Sequence, residues 1–324
     1  MLITKTPFRI SFFGGGTDLP SFYESNGGCV VSSSINKYIY LSMNKQFRTS
    51  GLNLKYSINE FAKTTESIKH PIIREIFIKY EISDVVLSSI ADLPSNSGMG
   101  SSSSFTVGLI NLCSSFSESK NLDKKQLSEE ACKLEIDVLK EPIGKQDQYA
   151  ASYGGLNRYH FNEDGTVDVE DLNLEKDYEQ IEKNLMLFHL GGSRKASSIL
   201  KDQNKNLKTE KNAIDNSIYL KNLAKDFNPE KIKKNTDYLG ELLNENWNFK
   251  KKISNKISSE LIDQFYEDAI SAGAIGGKLL GAGGAGFFLL YAREKDQKKV
   301  KEKLSKFYLE DFKLEKYGSI LQKL

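Results

Sequence analysis

Cysteine, histidine and long apolar runs are all scarce in this chain of 324 residues. Its three cysteines, Cys29, Cys113 and Cys132, are odd in number, far apart and set in apolar stretches. That distribution offers no disulfide framework and predicts buried, reduced thiols, as in a reducing compartment. The three histidines, His70, His160 and His189, stand alone, so the sequence offers no zinc-ligand spacing. No apolar run approaches the ~18 residues of a membrane span, and MLITKTPFRIS lacks the continuous apolar core of a signal peptide. The formal charge of +2 is too small to argue for nucleic acid or an acidic membrane surface. With 39% hydrophobic and 27% charged residues, the expectation is a cytosolic globular protein long enough for two domains.

Glycine, by contrast, is clustered, and one cluster organises the chain. Residues Asp92–Phe116 read DLPSNSGMGSSSSFTVGLINLCSSF. A turn from Pro94 to Ser97 enters Gly98-Met99-Gly100, four serines follow (Ser101 to Ser104), and an apolar helix continues. Glycines let a backbone approach a ligand and take φ > 0. The first turn of a helix carries unpaired N–H groups and the positive end of the dipole. Together they predict an anion site, most often for phosphate. A plain serine N-cap would also begin this helix, but it needs one serine and no glycines flanking Met99.

Earlier, residues 2–13 alternate as a strand and break at Gly14-Gly15-Gly16, followed by Thr17-Asp18-Leu19-Pro20. Both a ligand-contacting loop and a tight turn capped by Thr17 or Asp18 fit this stretch. Residues 28–48 predict two strands, 52–58 another, and 84–91 a strand feeding the glycine loop, an α+β pattern. Lys124–Lys140 predicts a helix with Leu127, Ala131, Leu134 and Val138 on one face, and Glu135 at the edge of that face. Taken alone, Glu135 reads as a rim glutamate. Pro142 and Gly144 end that helix, and Asp147 opens a short one, as a base or as a cap.

A hairpin is predicted at 153–172, a domain junction at 177–183 and a strand at 184–190. That strand ends in Gly191-Gly192-Ser193-Arg194, a second strand–glycine–helix junction that could hold an anion. Residues 195–272 read as successive helices, and the lysines of 201–256 as a solvated surface. The last cluster, Gly276–Ala292, formally matches GxGxxG at Gly281, Gly283 and Gly286. Because a strand rather than a helix follows, the dinucleotide reading fails. What is left is a glycine-rich turn between two buried strands.

Taken together, PFRISFFGGGTDLP at 7–20, PSNSGMGSSSS at 94–104 and KLLGAGGAGFF at 278–288 resemble the three ordered motifs of the GHMP kinases. The resemblance covers nearly the whole chain. Within the family, GGGTD, GKQDQYAA and HLGGSRKASSIL are most similar to the D-glycero-D-manno-heptose 7-phosphate kinases. It implies a two-domain α+β fold, with an N-terminal ATP-binding domain over 1–180 that contains a left-handed βαβ unit. It also implies a ferredoxin-like C-terminal domain over 181–324 and a cleft between the two. The expected partners are ATP, Mg²⁺ and a sugar phosphate, with no nucleic acid or membrane and with an oligomer possible.

Carried over by position, the resemblance implies ATP-phosphate contacts from Pro94, Ser97, Gly98, Met99, Gly100, Ser101, Ser102 and Ser103. Ser102 and Glu135 match the Mg²⁺ ligands, which moves Glu135 off the rim. Asp147 matches the catalytic aspartate and Arg9 its basic neighbour. Gly15, Gly16, Thr17 and Asp18 match the sugar-contacting turn, and Asp147 and, in the late glycine motif, Gly283 are further expected substrate contacts. Ser193 and Arg194 are assigned to the substrate's own phosphate from charge and position.

Overall fold

The protein is described here by a computed structural model covering residues 1–47, 50–117, 121–172, 178–192 and 196–324. In chain order, β1 (Leu2–Phe13) leads through α1 (Pro20–Asn26) to β2 (Gly28–Lys45), β3 (Leu52–Lys55) and β4 (Asn59–Ala62). A 3₁₀ turn (Thr65–Ser67), α2 (Pro71–Lys79) and β5 (Val85–Ala91) precede the glycine loop and α3 (Ser101–Phe116). Next come α4 (Lys124–Cys132), a π-helical turn (Lys133–Val138), α5 (Gln146–Tyr153), β6 (Leu156–Phe161) and β7 (Val167–Asp171). After α6 (Tyr178–Glu182) and β8 (Leu185–His189) the chain is helical: α7 (Ala196–Thr209), α8 (Lys211–Asp226), α9 (Glu230–Lys234), α10 (Tyr238–Lys250) and α11 (Glu260–Ser271). The last elements are β9 (Gly276–Leu279), β10 (Phe287–Tyr291), α12 (Glu294–Lys303), β11 (Tyr308–Glu310) and β12 (Ile320–Lys323).

The strands form two sheets. The larger runs β12-β1-β2-β5-β3-β4, with β6 and β7 continuing from the other end of β2. The smaller has the order β11-β8-β10-β9. Numbered within itself, that order is 4-1-3-2, with antiparallel neighbours throughout. Two strands were expected over 28–48, but β2 is continuous. Its first half pairs β6 and its second half pairs β5, while β1 pairs with both halves across a bulge at Asn36 and Lys37, where Asn36 bonds the Lys313 backbone. The helix expected over 124–140 changes to π geometry at Lys133, where Leu139 N–H reaches Leu134 O and the next turn's Glu141 N–H reaches Glu135 O (both 2.9 Å). Such one-turn π segments recur at functional sites. Cys29, Cys113 and Cys132 are buried free thiols, as expected. Among the described residues no helix is long and apolar enough to cross a membrane.

Packing delivers the glycine loop to the first strand. Helix α3 lies on β1 and β2 with most of its surface buried, and Gly108 permits the approach: a Cβ there would stand 2.7 Å from Thr6 Oγ1. Thr4 Oγ1 donates to Gly108 O (3.1 Å). β1 itself shifts register between Pro7 and Phe8, where proline has no N–H to give the ladder. Just beyond, Arg9 N–H bonds to Met99 O (3.2 Å), stitching the strand to the loop.

The two halves share more than a junction. β12 returns from the C-terminal segment to pair with β1, and one apolar cluster runs from Phe8 and Ile10 to Leu239, Leu243, Leu289 and Tyr291. The late glycine turn lies directly on the first: an ideal Cβ on Gly281 would be 2.6 Å from Gly98 Cα, and one on Gly286 would be 2.3 Å from Ser97 O. Gly286 also has φ +105°, which disfavours any side chain. Gly286→Ala is therefore expected to lower stability by roughly 2–4 kcal/mol, combining backbone strain and overpacking, measured as a lowered denaturation midpoint. An unchanged midpoint would show that the two turns are not held in this contact.

Candidate active site

The glycine loop, β1, α5 and the late glycine turn surround a cleft of about 430 Å³. At its floor stands Arg9, only 3% exposed. Its Nε and Nη2 donate to the two carboxylate oxygens of Asp147 (2.7 and 2.9 Å), and its Nη1 donates to Gly98 O (2.7 Å). The planar guanidinium thus fixes the aspartate and the phosphate-type loop with one side chain. Gly100 leaves room for the pair: a Cβ there would lie 3.3 Å from the Asp147 carboxyl and 3.4 Å from Arg9.

The mouth of the loop has the features of an anion site. Gly98 and Gly100 both have positive φ (+80° and +75°), and α3 begins with no side-chain cap. The N–H groups of its first turn, from Ser101 to Ser103, therefore stand at the cleft. Glu135, carried in by the π-helical turn, is buried beside this terminus and meets four donors. Ser102 Oγ and Thr106 Oγ1 reach Oε1 (3.0 Å each), while Ser103 Oγ and Gln148 Nε2 reach Oε2 (2.8 and 2.7 Å). Burial pushes its carboxyl above the ordinary range, and the four donors oppose that rise. A hydroxyl and a carboxylate held together beside an anion site are hard oxygen donors, which fit Mg²⁺.

Asp18 also lines the cleft, and it ties two loops together. Its Oδ1 accepts Gly16 N–H and its Oδ2 accepts Gln146 N–H at the start of α5 (3.1 Å each). Gly144 allows this, because a Cβ there would sit 2.0 Å from Asp18 Oδ2. Burial and the neighbouring Asp147 raise the Asp18 pKa.

The cleft lining brings together most of the residues expected from sequence: Arg9, Gly15, Gly16, Asp18, Gly98, Gly100, Ser101, Ser102, Ser103, Glu135 and Asp147. Others stand behind it. Thr17 is fully buried, its hydroxyl shared between Gly14 O and Cys29 O, so it shapes the turn instead of facing the cleft. Met99 is buried in the core and contributes only its carbonyl, to Arg9. Ser97 is buried against the late turn, Pro94 is exposed outside the cleft, and Gly283 packs on the Ile257 backbone. Ser193 and Arg194 lie outside the described residues.

Sequence reasoning missed Ser11, Gln146, Gln203 and Lys250, all of which line the cleft. The surface reading of the 201–256 lysines fails at Lys250, which is 4% exposed and donates to Gly281 O (2.6 Å). Its signal was positional: the buried residues Leu239, Leu243, Trp247 and Lys250 recur at helical spacing, placing this lysine on the buried stripe of α10. A second buried lysine, Lys278, donates to Ser11 O and Phe12 O (2.7 and 3.1 Å).

The comparisons with known proteins agree with this geometry. Residues 61–155 match the family model described as GHMP kinases N terminal domain, and residues 221–310 match GHMP kinases C terminal. A D-glycero-alpha-D-manno-heptose 7-phosphate kinase from Campylobacter jejuni is 29% identical, over 97% of this chain and 97% of that protein. A galactokinase from Thermotoga petrophila is 26% identical over 51% of this chain and 47% of its own length. Among solved structures, a D-glycero-D-manno-heptose 1-phosphate kinase from Bacteroides thetaiotaomicron superposes with a TM-score of 0.81. It is 21% identical and covers 100% of this chain and 99% of its own. Two kinase domain models in order, on a fold whose glycine loop, helix terminus and Arg9–Asp147 pair meet in one cleft, place this chain in the GHMP kinase family, as an ATP-dependent phosphotransferase.

Proposed function

We propose that this kinase transfers the γ-phosphoryl group of ATP to the anomeric hydroxyl of D-glycero-D-manno-heptose 7-phosphate. The products would be the 1,7-bisphosphate and ADP, a step towards nucleotide-activated heptose for surface polysaccharide. The observation that carries the reading is the end-to-end similarity to the Campylobacter jejuni heptose 7-phosphate kinase. Relatives named fucokinase and galactokinase, which match from half to nearly all of the chain at 22–26% identity, supply the alternative acceptor.

In this reading the loop from Gly98 and the first turn of α3 bind the ATP phosphates through backbone N–H groups. Ser102 and Glu135 would hold Mg²⁺, which when bound offsets phosphate charge. Asp147 accepts a hydrogen bond from the attacking hydroxyl on a lone pair that Arg9 leaves free, and so aligns that oxygen. Arg9 holds the carboxylate in place and adds positive charge where phosphoryl charge develops. Asp18 and the Gly15–Gly16 backbone face the sugar, and Arg194 with Ser193 would take its 7-phosphate.

The first test is ADP release with ATP and Mg²⁺, comparing the heptose 7-phosphate with fucose, galactose and mannose. Turnover confined to the phosphorylated heptose is expected, and turnover confined to a free hexose would replace the substrate. Asp147→Asn should lower kcat by roughly 10²-fold or more while the KM for ATP changes little; wild-type turnover would remove Asp147 from the chemistry. Arg194→Ala should chiefly raise the KM for the sugar phosphate, and an unchanged KM would move the 7-phosphate site elsewhere.

A further inference from the structure

The C-terminal half brings a buried cation to the cleft that the reading above does not use. Lys250 lies at the end of α10, and its ammonium has Gly281 O as its one hydrogen-bond partner among the described residues. An ammonium carries three donors, so two N–H bonds are left without a protein acceptor. Burying a charge so sparsely partnered is costly unless a ligand completes it.

The position of Lys250 is defined by a short chain of contacts. Its partner Gly281 lies against Gly98 of the phosphate loop, with backbone atoms so close that neither residue could carry a side chain. Gly98 O in turn receives Arg9 Nη1, and Arg9 holds Asp147. Lys250 and Arg9 therefore line the same cleft, linked through the Gly281–Gly98 contact.

The charges acting on it are Arg9 on β1, Asp18 on the first glycine turn, Asp147 on α5 and, outside the cleft lining, the buried Lys278 on β9; Glu135 and Glu141 also line the cleft. Asp147 is already neutralised by the Arg9 fork, and Asp18 already accepts two backbone N–H groups. Glu135 is likewise engaged by its four donors, and no described carboxylate bonds the Lys250 ammonium. An anion entering beside Arg9 and Lys250 would complete the bonding of that ammonium.

We propose that Lys250 is a catalytic residue. Its ammonium, supplied by the C-terminal half, acts with Arg9 in the same cleft and binds the phosphoryl group as it passes from ATP to the acceptor. No bond to lysine forms. The P–O bond to the ADP leaving group breaks, the P–O bond to the acceptor oxygen forms, and the acceptor proton is released to water. The lysine only stabilises charge on the oxygens of the group in transit. Whether the acceptor is a heptose phosphate or a free hexose does not enter the argument, so the inference rests on the kinase family alone.

Burial and the neighbouring Arg9 lower the Lys250 pKa to about 8. The sign follows: the ammonium is present below that pH and lost above it. In the free enzyme kcat/KM should therefore fall as pH rises through about 8.

The test uses the full-length protein with whichever acceptor the wild type phosphorylates. Lys250→Met should lower kcat by roughly 10²- to 10³-fold, with the KM for ATP changing less than about threefold and the alkaline limb of the pH profile lost. Lys250→Arg should recover part of the turnover and move that limb to higher pH. If the wild type phosphorylates none of the sugars, the same variants are compared on acceptor-free ATP hydrolysis, which transfers the same group to water. This separates failure of the acceptor assignment from failure of Lys250. A Lys250→Met enzyme that keeps kcat within threefold overturns the proposal. So does a loss shared equally by Lys250→Arg and accompanied by lost ATP binding or a lowered melting temperature, which would mark a purely structural lysine.

Discussion

The structure depends on the guanidinium of Arg9. Three of its N–H groups are committed to Asp147 and to Gly98 O, and its own backbone N–H is committed to Met99 O. One residue of β1 therefore sets where α5 begins, where the phosphate loop turns and how α3 enters the cleft. Arg9 is buried while the Asp147 side chain is 26% exposed at the cleft, so losing Asp147 would leave a buried guanidinium without its carboxylate. The bond is thus a positional device first, and its catalytic value follows from that rigidity.

Around this point the fold is assembled by close backbone contact. Gly108 brings α3 onto β1, Gly144 admits the Asp18 carboxylate, and Gly281 and Gly286 press the late turn onto the first glycine loop. Each contact trades a side chain for proximity. The result is that charged side chains from distant parts of the chain reach one cleft: β1 supplies Arg9, the π-helical turn Glu135, α5 Asp147 and α10 Lys250.

Much of this was legible in the sequence, for a physical reason. Glycine clusters and a serine-rich helix start are local signals, and so the loop at Gly98–Ser104, the turn at Gly14–Gly16 and the strand before each could be read directly. Glu135 and Asp147 were ambiguous as isolated carboxylates, and only their match to the motif pattern of a family gave them roles. What stayed hidden is set by neighbours in space. β2 continues past Asn36 and Lys37 because β1 pairs with it on both sides of that bulge, which no local propensity reports. Thr17 and Met99 sit in the right motifs, yet their side chains face inward. Lys250 was hidden among surface lysines, distinguishable only by its place on the buried stripe of α10.

The two buried lysines explain why the halves of the molecule meet as they do. Among the described residues neither Lys250 nor Lys278 has a carboxylate partner; each ammonium is held by backbone carbonyls, Gly281 O in one case and Ser11 O with Phe12 O in the other. Had the clamp between the halves been built from ion pairs, its charges would cancel within the protein. Carbonyl dipoles hold an ammonium without neutralising it, so the positive charge of Lys250 remains available to the cleft that it lines. Burial weakens that charge, pulling both lysines below their ordinary pKa, and a bound anion strengthens it again. The same contact that fastens the C-terminal glycine turn to the phosphate loop therefore leaves the Lys250 charge at the cleft.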